Sequence, residues 1–270
     1  MKLHVRHQTR YDYETSVRSS IQRLYLTPST FATQKIVSWA IEAPGLDNAL
    51  VYTDGFGNQV HIITSQGAHD HVTVIAEGVV DSQDASGVVR GYRCPAPDSV
   101  FLRQTAATAP SAELVEIGRA TGAKYPKELD RLHAIMAEIR SRIAYEIGAT
   151  DAHTTAAEAL ADGKGVCQDH AHAMLSVVRS LGIPGRYVTG YLATAGDSPA
   201  TASHAWAEAL VPNLGWVGFD AANAKCPTAD YVRVATGLDA QGVVPVRGSR
   251  RGGESESMTV AVTVQPAAEQ

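Results

Sequence analysis

Three short segments carry residues that could do chemistry together. The first is Gly163-Lys164-Gly165-Val166-Cys167-Gln168-Asp169. A glycine-flanked turn delivers a cysteine to the first turn of a helix, and Ala171, Met174, Leu175, Val178 and Leu181 give that helix an apolar face. The first N–H groups of a helix have no intrahelical partner and its dipole favours an anion there, so a thiolate at Cys167 is stabilised. The same N–H groups can hold the oxyanion of a tetrahedral intermediate. Read alone, a free cysteine is equally a small buried apolar residue.

The second segment is Ala202-Ser203-His204-Ala205-Trp206-Ala207-Glu208 and the third Gly215-Trp216-Val217-Gly218-Phe219-Asp220. Alternation puts His204, Trp206 and Glu208 on one strand face and alanines on the other; Trp216, Gly218 and Asp220 share a face of the next strand. If the two strands form a hairpin with Trp206 opposite Asp220, Asp220 lies diagonal to His204, roughly 7–8 Å away at Cα and within reach of a hydrogen bond. That register needs a five-residue loop or a bulge. A four-residue loop pairing 211 with 216 would turn Asp220 to the other face. The sequence leaves both registers open, and Glu208 is a second carboxylate able to orient the histidine. Nucleophile, base and orienter then follow in the order Cys167, His204, Asp220.

The elements that must position them are legible in outline. The first ~95 residues read as strands and turns: Leu3, Val5, His7, Thr9 and Tyr11 alternate with polar neighbours, as do Val37, Trp39 and Ile41, and Val72, Val74 and Ala76. A helical pattern follows. Ser111 caps one helix, and Leu129, Leu132, Met136, Ile139 and Ile143 form the stripe of another. Thr155-Ala156-Ala157-Glu158 is a capping box. The cysteine helix ends at Gly182 and Pro184. Strands return over 186–193, 203–211 and 216–221. The stretch 247–257 reads as a mobile loop, and Met258, Val260, Val262 and Val264 as a last strand. The expected organisation is a β-rich domain at 1–95, a core at 96–240, and a loop plus returning strand at 241–270.

The three segments closely resemble the core motifs of the transglutaminase-like, papain-related superfamily. The start of the chain, with His7, Arg10, Tyr11 and Tyr13 and the stretch 18–28, resembles the N-terminal domain of bacterial transglutaminase-like proteins; 231–239 and 244–248 resemble their C-terminal stretch. The resemblance implies an α+β fold: a papain-like core, its cysteine helix packed on an antiparallel sheet, preceded by a β-sandwich-like domain. It implies Cys167 as nucleophile, His204 as base and Asp220 as orienter. Two departures stand out: His170 where an aromatic is usual, and Ala221-Ala222-Asn223 where Pro-Thr-Asn is commoner. Trp206, Trp216 and Tyr187 are expected to bind substrate. Tyr187, Tyr191 and Tyr145 are all open as side-chain oxyanion donors, which this superfamily often adds.

Composition narrows the partners. The chain has 270 residues, 44% hydrophobic and 19% charged, with formal charge −5. That excludes wholesale disorder and argues against binding nucleic acid by bulk positive charge. No apolar run reaches the ~18 residues of a membrane span. Three cysteines without a Cys-x-x-Cys pair do not suggest a disulfide framework or a Cys₄ zinc site, and the ten histidines include no His-Glu-x-x-His. The N-terminus shows no signal-peptide pattern, so a reduced cytoplasmic setting is expected. The expected reaction is acyl transfer on a peptide or protein amide through a thioester, without metal or cofactor, and hydrolysis is favoured. A protein-glutamine transglutaminase or deamidase uses the same groups. A non-catalytic binding protein on the same fold is the reading from another class.

Overall fold

The computed structural model describes residues 1–193 and 203–267; Ala202 of the second motif lies outside them. The chain opens with β1 (Lys2–Thr27), β2 (Gln34–Glu42), β3 (Leu50–Thr53) and β4 (Gln59–Ser82). Helices α1 (Ala112–Lys124) and α2 (Glu128–Arg142), the two-residue β5 (Ala144–Tyr145), α3 (Ala156–Asp162), the two-residue β6 (Lys164–Gly165) and α4 (Cys167–Ser180) follow. Then come β7 (Gly185–Leu192), β8 (His204–Val211), β9 (Gly215–Phe219), β10 (Tyr231–Gly237), β11 (Val246–Gly252) and β12 (Glu256–Pro266). No helix among the described residues is long and apolar enough to cross a membrane.

Six strands form one antiparallel sheet built on the long pair β1 and β4. One end of the pair is flanked by β12 and β2, the other by β11 and β3. The ladder is interrupted between Asp12 and Val17, where the pair bends. Tyr11, Tyr13, Val72 and Val74 before the bend share one apolar cluster with Val17, Leu24, Leu26 and Ile63 beyond it. The continuous sheet thus folds over its own core, as a sandwich does. The C-terminal segment differs from its expectation: 246–252 is a strand paired to β1 along 17–24. Its glycines and arginines masked the strand, because an edge strand with solvent on one side needs no apolar alternation. Residues 246–266 therefore complete the N-terminal sheet.

The second sheet, in order β10-β7-β8-β9, packs under α4. Ala205, Ala207 and Ala209 face Ala171, Met174, Leu175 and Val178 in the main core. Small residues on the strand let the helix approach closely. The expected helices form with their caps: Ser111 Oγ accepts from Leu114 N–H at 3.3 Å, and Thr155 and Glu158 complete the capping box. The N-terminal sheet closes the outer edge of β10 with side-chain amides. Gln34 exchanges two hydrogen bonds with the backbone of Arg233 (2.8 and 2.7 Å), and Asn58 does the same with Thr236 (2.8 and 2.8 Å). Each amide acts as one residue of a neighbouring strand, satisfying backbone groups that an edge leaves open.

Candidate active site

Cys167 is the first residue of α4 and only 9% exposed. Asp169 prepares that helix start. Its Oδ2 accepts from the Val166 N–H at 2.8 Å and from the Thr150 hydroxyl at 2.6 Å. The carboxylate lies so close to Gly165 that a Cβ there would sit 2.8 Å from it, which is why a glycine precedes Val166. The Cys167 Sγ lies 4.0 Å from the Ser203 carbonyl oxygen, next to His204 in sequence.

The β8–β9 hairpin resolves the register. Val211 pairs with Gly215 and Ala207 with Phe219, so Asp220 follows in the position opposite Trp206. The closing loop is Pro212-Asn213-Leu214, three residues inside the Val211–Gly215 pair, so the register expected to need a five-residue loop or a bulge is reached with a shorter loop and no bulge; Asn213 at φ 66° and Gly215 at φ 82° make the tight turn. The Asp220 carboxylate therefore points toward His204, and Nε2 of the imidazole lies 2.6 Å from Asp220 Oδ2. This leaves Nδ1 for Cys167, whose charge is one of the influences that favour the protonated ring. Asp220 is fully buried and anchored by further donors: the Tyr231 hydroxyl at 2.6 Å and Asn223 Nδ2 at 2.8 Å to Oδ2, and the Asn223 N–H at 3.2 Å to Oδ1. Burial works against the His204 charge, but the hydrogen bonds and charges of Asp220 and Cys167 outweigh it and raise its pKa to about 9. Burial would also raise Asp220; its bonds from His204, Asn223 and Tyr231 prevail and hold it below the usual carboxylate range.

Glu208 is committed elsewhere. Its oxygens lie 2.5 Å from Arg186 Nε and 2.9 Å from Arg233 Nε, and all three side chains are at most 4% exposed. The Trp216 and Tyr92 rings cover the two guanidinium groups, with Arg186 4.1 Å from the Trp216 centroid and Arg233 3.9 Å from that of Tyr92. Glu208 is thus not the group that orients His204.

The three residues expected to bind substrate differ in how far they are covered. Trp206 is 2% exposed and lies flat on the sheet, where a Cβ on Gly190 would come within 2.7 Å of its ring. Trp216 packs edge-on to Phe101 and over Arg186. Tyr187 is 4% exposed, beneath α4 against the His172 ring. Trp206 and Tyr187 are thus packed in the interior, while Trp216 remains half-buried. Among the candidate oxyanion tyrosines, Tyr191 is bonded to His7 at 3.0 Å. Tyr145 is 45% exposed, and its hydroxyl is held un-ionised by burial and by the charges of Cys167 and Asp220.

Sequence reasoning missed Tyr231 and the role of Asn223. Asn223 had a local signal, an Asx residue three positions after the aspartate in a turn. Tyr231 had none, because the contact depends on β10 reaching the site across the sheet.

The transglutaminase-like superfamily pattern matches residues 116–221. The bacterial transglutaminase-like N-terminal region matches residues 3–81. An uncharacterised protein of Mycobacterium leprae is 30% identical over 97% of this chain and 98% of its own length. One of Mycobacterium bovis is 29% identical over 97% and 92%. A crystal structure of a candidate cysteine protease from Cytophaga hutchinsonii shares the fold, with TM-score 0.75, 20% identity, and coverage of 100% of this chain and 92% of that one. The chain belongs to the transglutaminase-like superfamily and carries its bacterial N-terminal region.

Proposed function

We propose that the protein is a cysteine-dependent acyl-transfer enzyme that hydrolyses an amide or peptide bond through a thioester on Cys167. The observation that carries this reading is the 2.6 Å His204–Asp220 hydrogen bond, which leaves the other imidazole nitrogen available to the cysteine at a helix N-terminus. The Cys167 thiolate attacks the amide carbonyl carbon, forming the S–C bond. The carbonyl electron pair moves to oxygen, where the first N–H groups of α4 can receive the negative charge. The pair then returns, the C–N bond breaks, and the His204 imidazolium gives its proton to the leaving amine. Water attacks the thioester, His204 takes its proton, and the thiolate leaves. Asp220 keeps the ring oriented and stabilises its cationic form throughout.

A primary amine in place of water would give transglutamination with the same groups. Hydrolysis is favoured because water is always present, and the description of the C. hutchinsonii relative as a candidate protease agrees with it. The test is iodoacetamide labelling at pH 6 with peptide mass spectrometry, followed by incubation with a peptide library with and without a primary amine. Cys167 should label fast, while Cys226, whose thiol burial pushes up to about 11, should label slowly in the same digest. Peptide cleavage or ammonia release without amine incorporation supports hydrolysis. Labelling of Cys167 no faster than Cys226 overturns the enzyme reading in favour of a binding protein.

A further inference from the structure

Three histidines are buried to 1% exposure or less: His7, His170 and His172. What faces their rings differs. His7 meets two hydroxyls, with Nδ1 3.0 Å from Tyr191 Oη and Nε2 2.9 Å from Thr9 Oγ1. A hydroxyl can donate or accept, so a neutral ring is fully served. His172 Nε2 accepts from the Ala240 N–H at 3.1 Å, which requires a lone pair on that nitrogen. Burial pushes both down to about 4.

His170 is the opposite case. Its Nδ1 lies 2.8 Å from the Val166 carbonyl oxygen and its Nε2 3.0 Å from the Ile143 carbonyl oxygen. Carbonyl oxygens only accept, so both ring nitrogens must carry a hydrogen, whereas a neutral imidazole has one. A neutral ring would set a lone pair against a carbonyl oxygen in a buried place, leaving a hydrogen bond unmade.

We propose that His170 is a buried imidazolium and a positioning residue for Cys167. The ring ties the Val166 carbonyl, at the cap of α4, to the Ile143 carbonyl just beyond α2. The Val166 C=O and the Cys167 N–H are two ends of one rigid peptide plane. The Val166 oxygen also accepts from the Asp169 and His170 N–H groups at 3.1 and 3.2 Å, so the ring adds a third donor and tethers this peptide plane, with the N–H that would meet an oxyanion at the nucleophile, to Ile143. The ring also places a positive charge one turn from the thiolate. Asp169, the preceding residue on α4, is the carboxyl group that faces this charge: it is fully buried, which raises its pKa, while the Thr150 and Val166 hydrogen bonds and the His170 charge oppose that rise. From α2, Arg140 Nη1 reaches the same Ile143 oxygen at 3.3 Å and opposes the charge. From β5, the Tyr145 ring lies 6.1 Å away, centroid to centroid. The effect on Cys167 rests on the reading of that residue as the nucleophile; the charge state of the ring does not.

The test is NMR of the full chain labelled with 15N-histidine, its ring signals assigned through the backbone. His170 should show two protonated ring nitrogens at pH 7, while His7 and His172 show one each. A single protonated nitrogen on His170 at pH 7 overturns the proposal. This measurement needs no variant to fold. The second arm is the pH profile of Cys167 alkylation in His170→Gln, which keeps a donor without the charge. Its midpoint should rise by about one pH unit, with kcat falling more than KM changes. An unmoved midpoint with unchanged kcat overturns the positioning role. A wild-type Cys167 that alkylates slowly would instead refute the nucleophile reading and leave the NMR result standing.

Discussion

His204 and Glu208 stand four residues apart on β8, and each side chain is bound to opposite charge in the interior. Glu208 meets two arginines, Arg186 and Arg233, which do not lose a proton at any pH a protein survives. Asp220 meets a histidine whose pKa sits near 9. Both clusters are buried and hydrogen-bonded, and both sit on the sheet that carries the site. One holds fixed charge under aromatic rings and can only bind the sheet together. The other holds a charge that can move, next to a sulfur that can receive or release it. Chemistry is marked by the exchangeable proton, not by burial or by the number of ion pairs.

The strongest way to break the comparison is to remove the sulfur. Cys167→Ala should reduce amide turnover on the order of 10⁴–10⁶-fold, since the parts of such a unit act together. Thermal unfolding should change little, because one small buried side chain replaces another. Turnover retained in the purified variant would assign the nucleophile elsewhere.

Next in size is the orienting carboxylate. Asp220→Asn should lower kcat by ~10²–10⁴-fold while the hairpin persists. It should also change the response of stability to pH. The folded pKa of His204 is raised from 6.5 to about 9, so its contribution is fully present below about pH 6.5 and is lost as pH rises through about 9. The wild-type melting temperature should fall over that window, and the Asn variant should flatten the fall. An equally steep fall in the variant would mean that Asp220 does not hold the imidazolium.

Glu208→Gln tests the other cluster. It strands two buried guanidinium groups, at a cost of about 3–5 kcal/mol of stability. The melting temperature should drop at every pH, while the alkylation midpoint of Cys167 in the folded protein stays put. A shift in that midpoint would make Glu208 part of the reactive network after all.

These experiments bear on what the sequence could tell. The cysteine helix was readable because its signals are local: glycines before it, an apolar stripe along it, Gly182 and Pro184 after it. The His204–Asp220 pairing was readable only up to a choice of register, since alternation fixes faces but not loop length. The structure closes the hairpin with three residues, shorter than either loop the sequence suggested, with Asn213 in the loop and Gly215 at its end left-handed. The burial of Trp206 and Tyr187 was not readable, because a strand pattern does not say which face is covered. The strand at 246–252 was hidden by its polar composition. Tyr231 was invisible, since its contact depends on the stacking of β10, β7 and β8.

Tyr231 gives the smallest and most discriminating effect. Its hydroxyl donates to the same Asp220 Oδ2 that holds His204, and its own carbonyl accepts from the Ser82 hydroxyl at 3.1 Å. The N-terminal sheet thus reaches the site through one residue: Ser82 and Gln34 fix β10, and β10 fixes Asp220. Tyr231→Phe keeps the ring packing and removes one of three donors to that oxygen. A hydrogen bond to a charged group is worth about 1.5–3 kcal/mol, and part of this returns as the remaining donors strengthen. Turnover should therefore fall less than about 10-fold. With one donor gone, the Asp220 pKa moves up toward its ordinary value. A carboxylate held low stabilises the fold above its unfolded pKa and loses that stability as pH falls through its folded one. Acid unfolding of the Phe variant should accordingly begin at higher pH than in the wild type, followed by circular dichroism between pH 7 and 3. An unchanged acid transition would show that the hydroxyl does not hold Asp220. A loss of turnover as large as that of Asp220→Asn would make Tyr231 a participant in proton transfer rather than a tether from the N-terminal sheet.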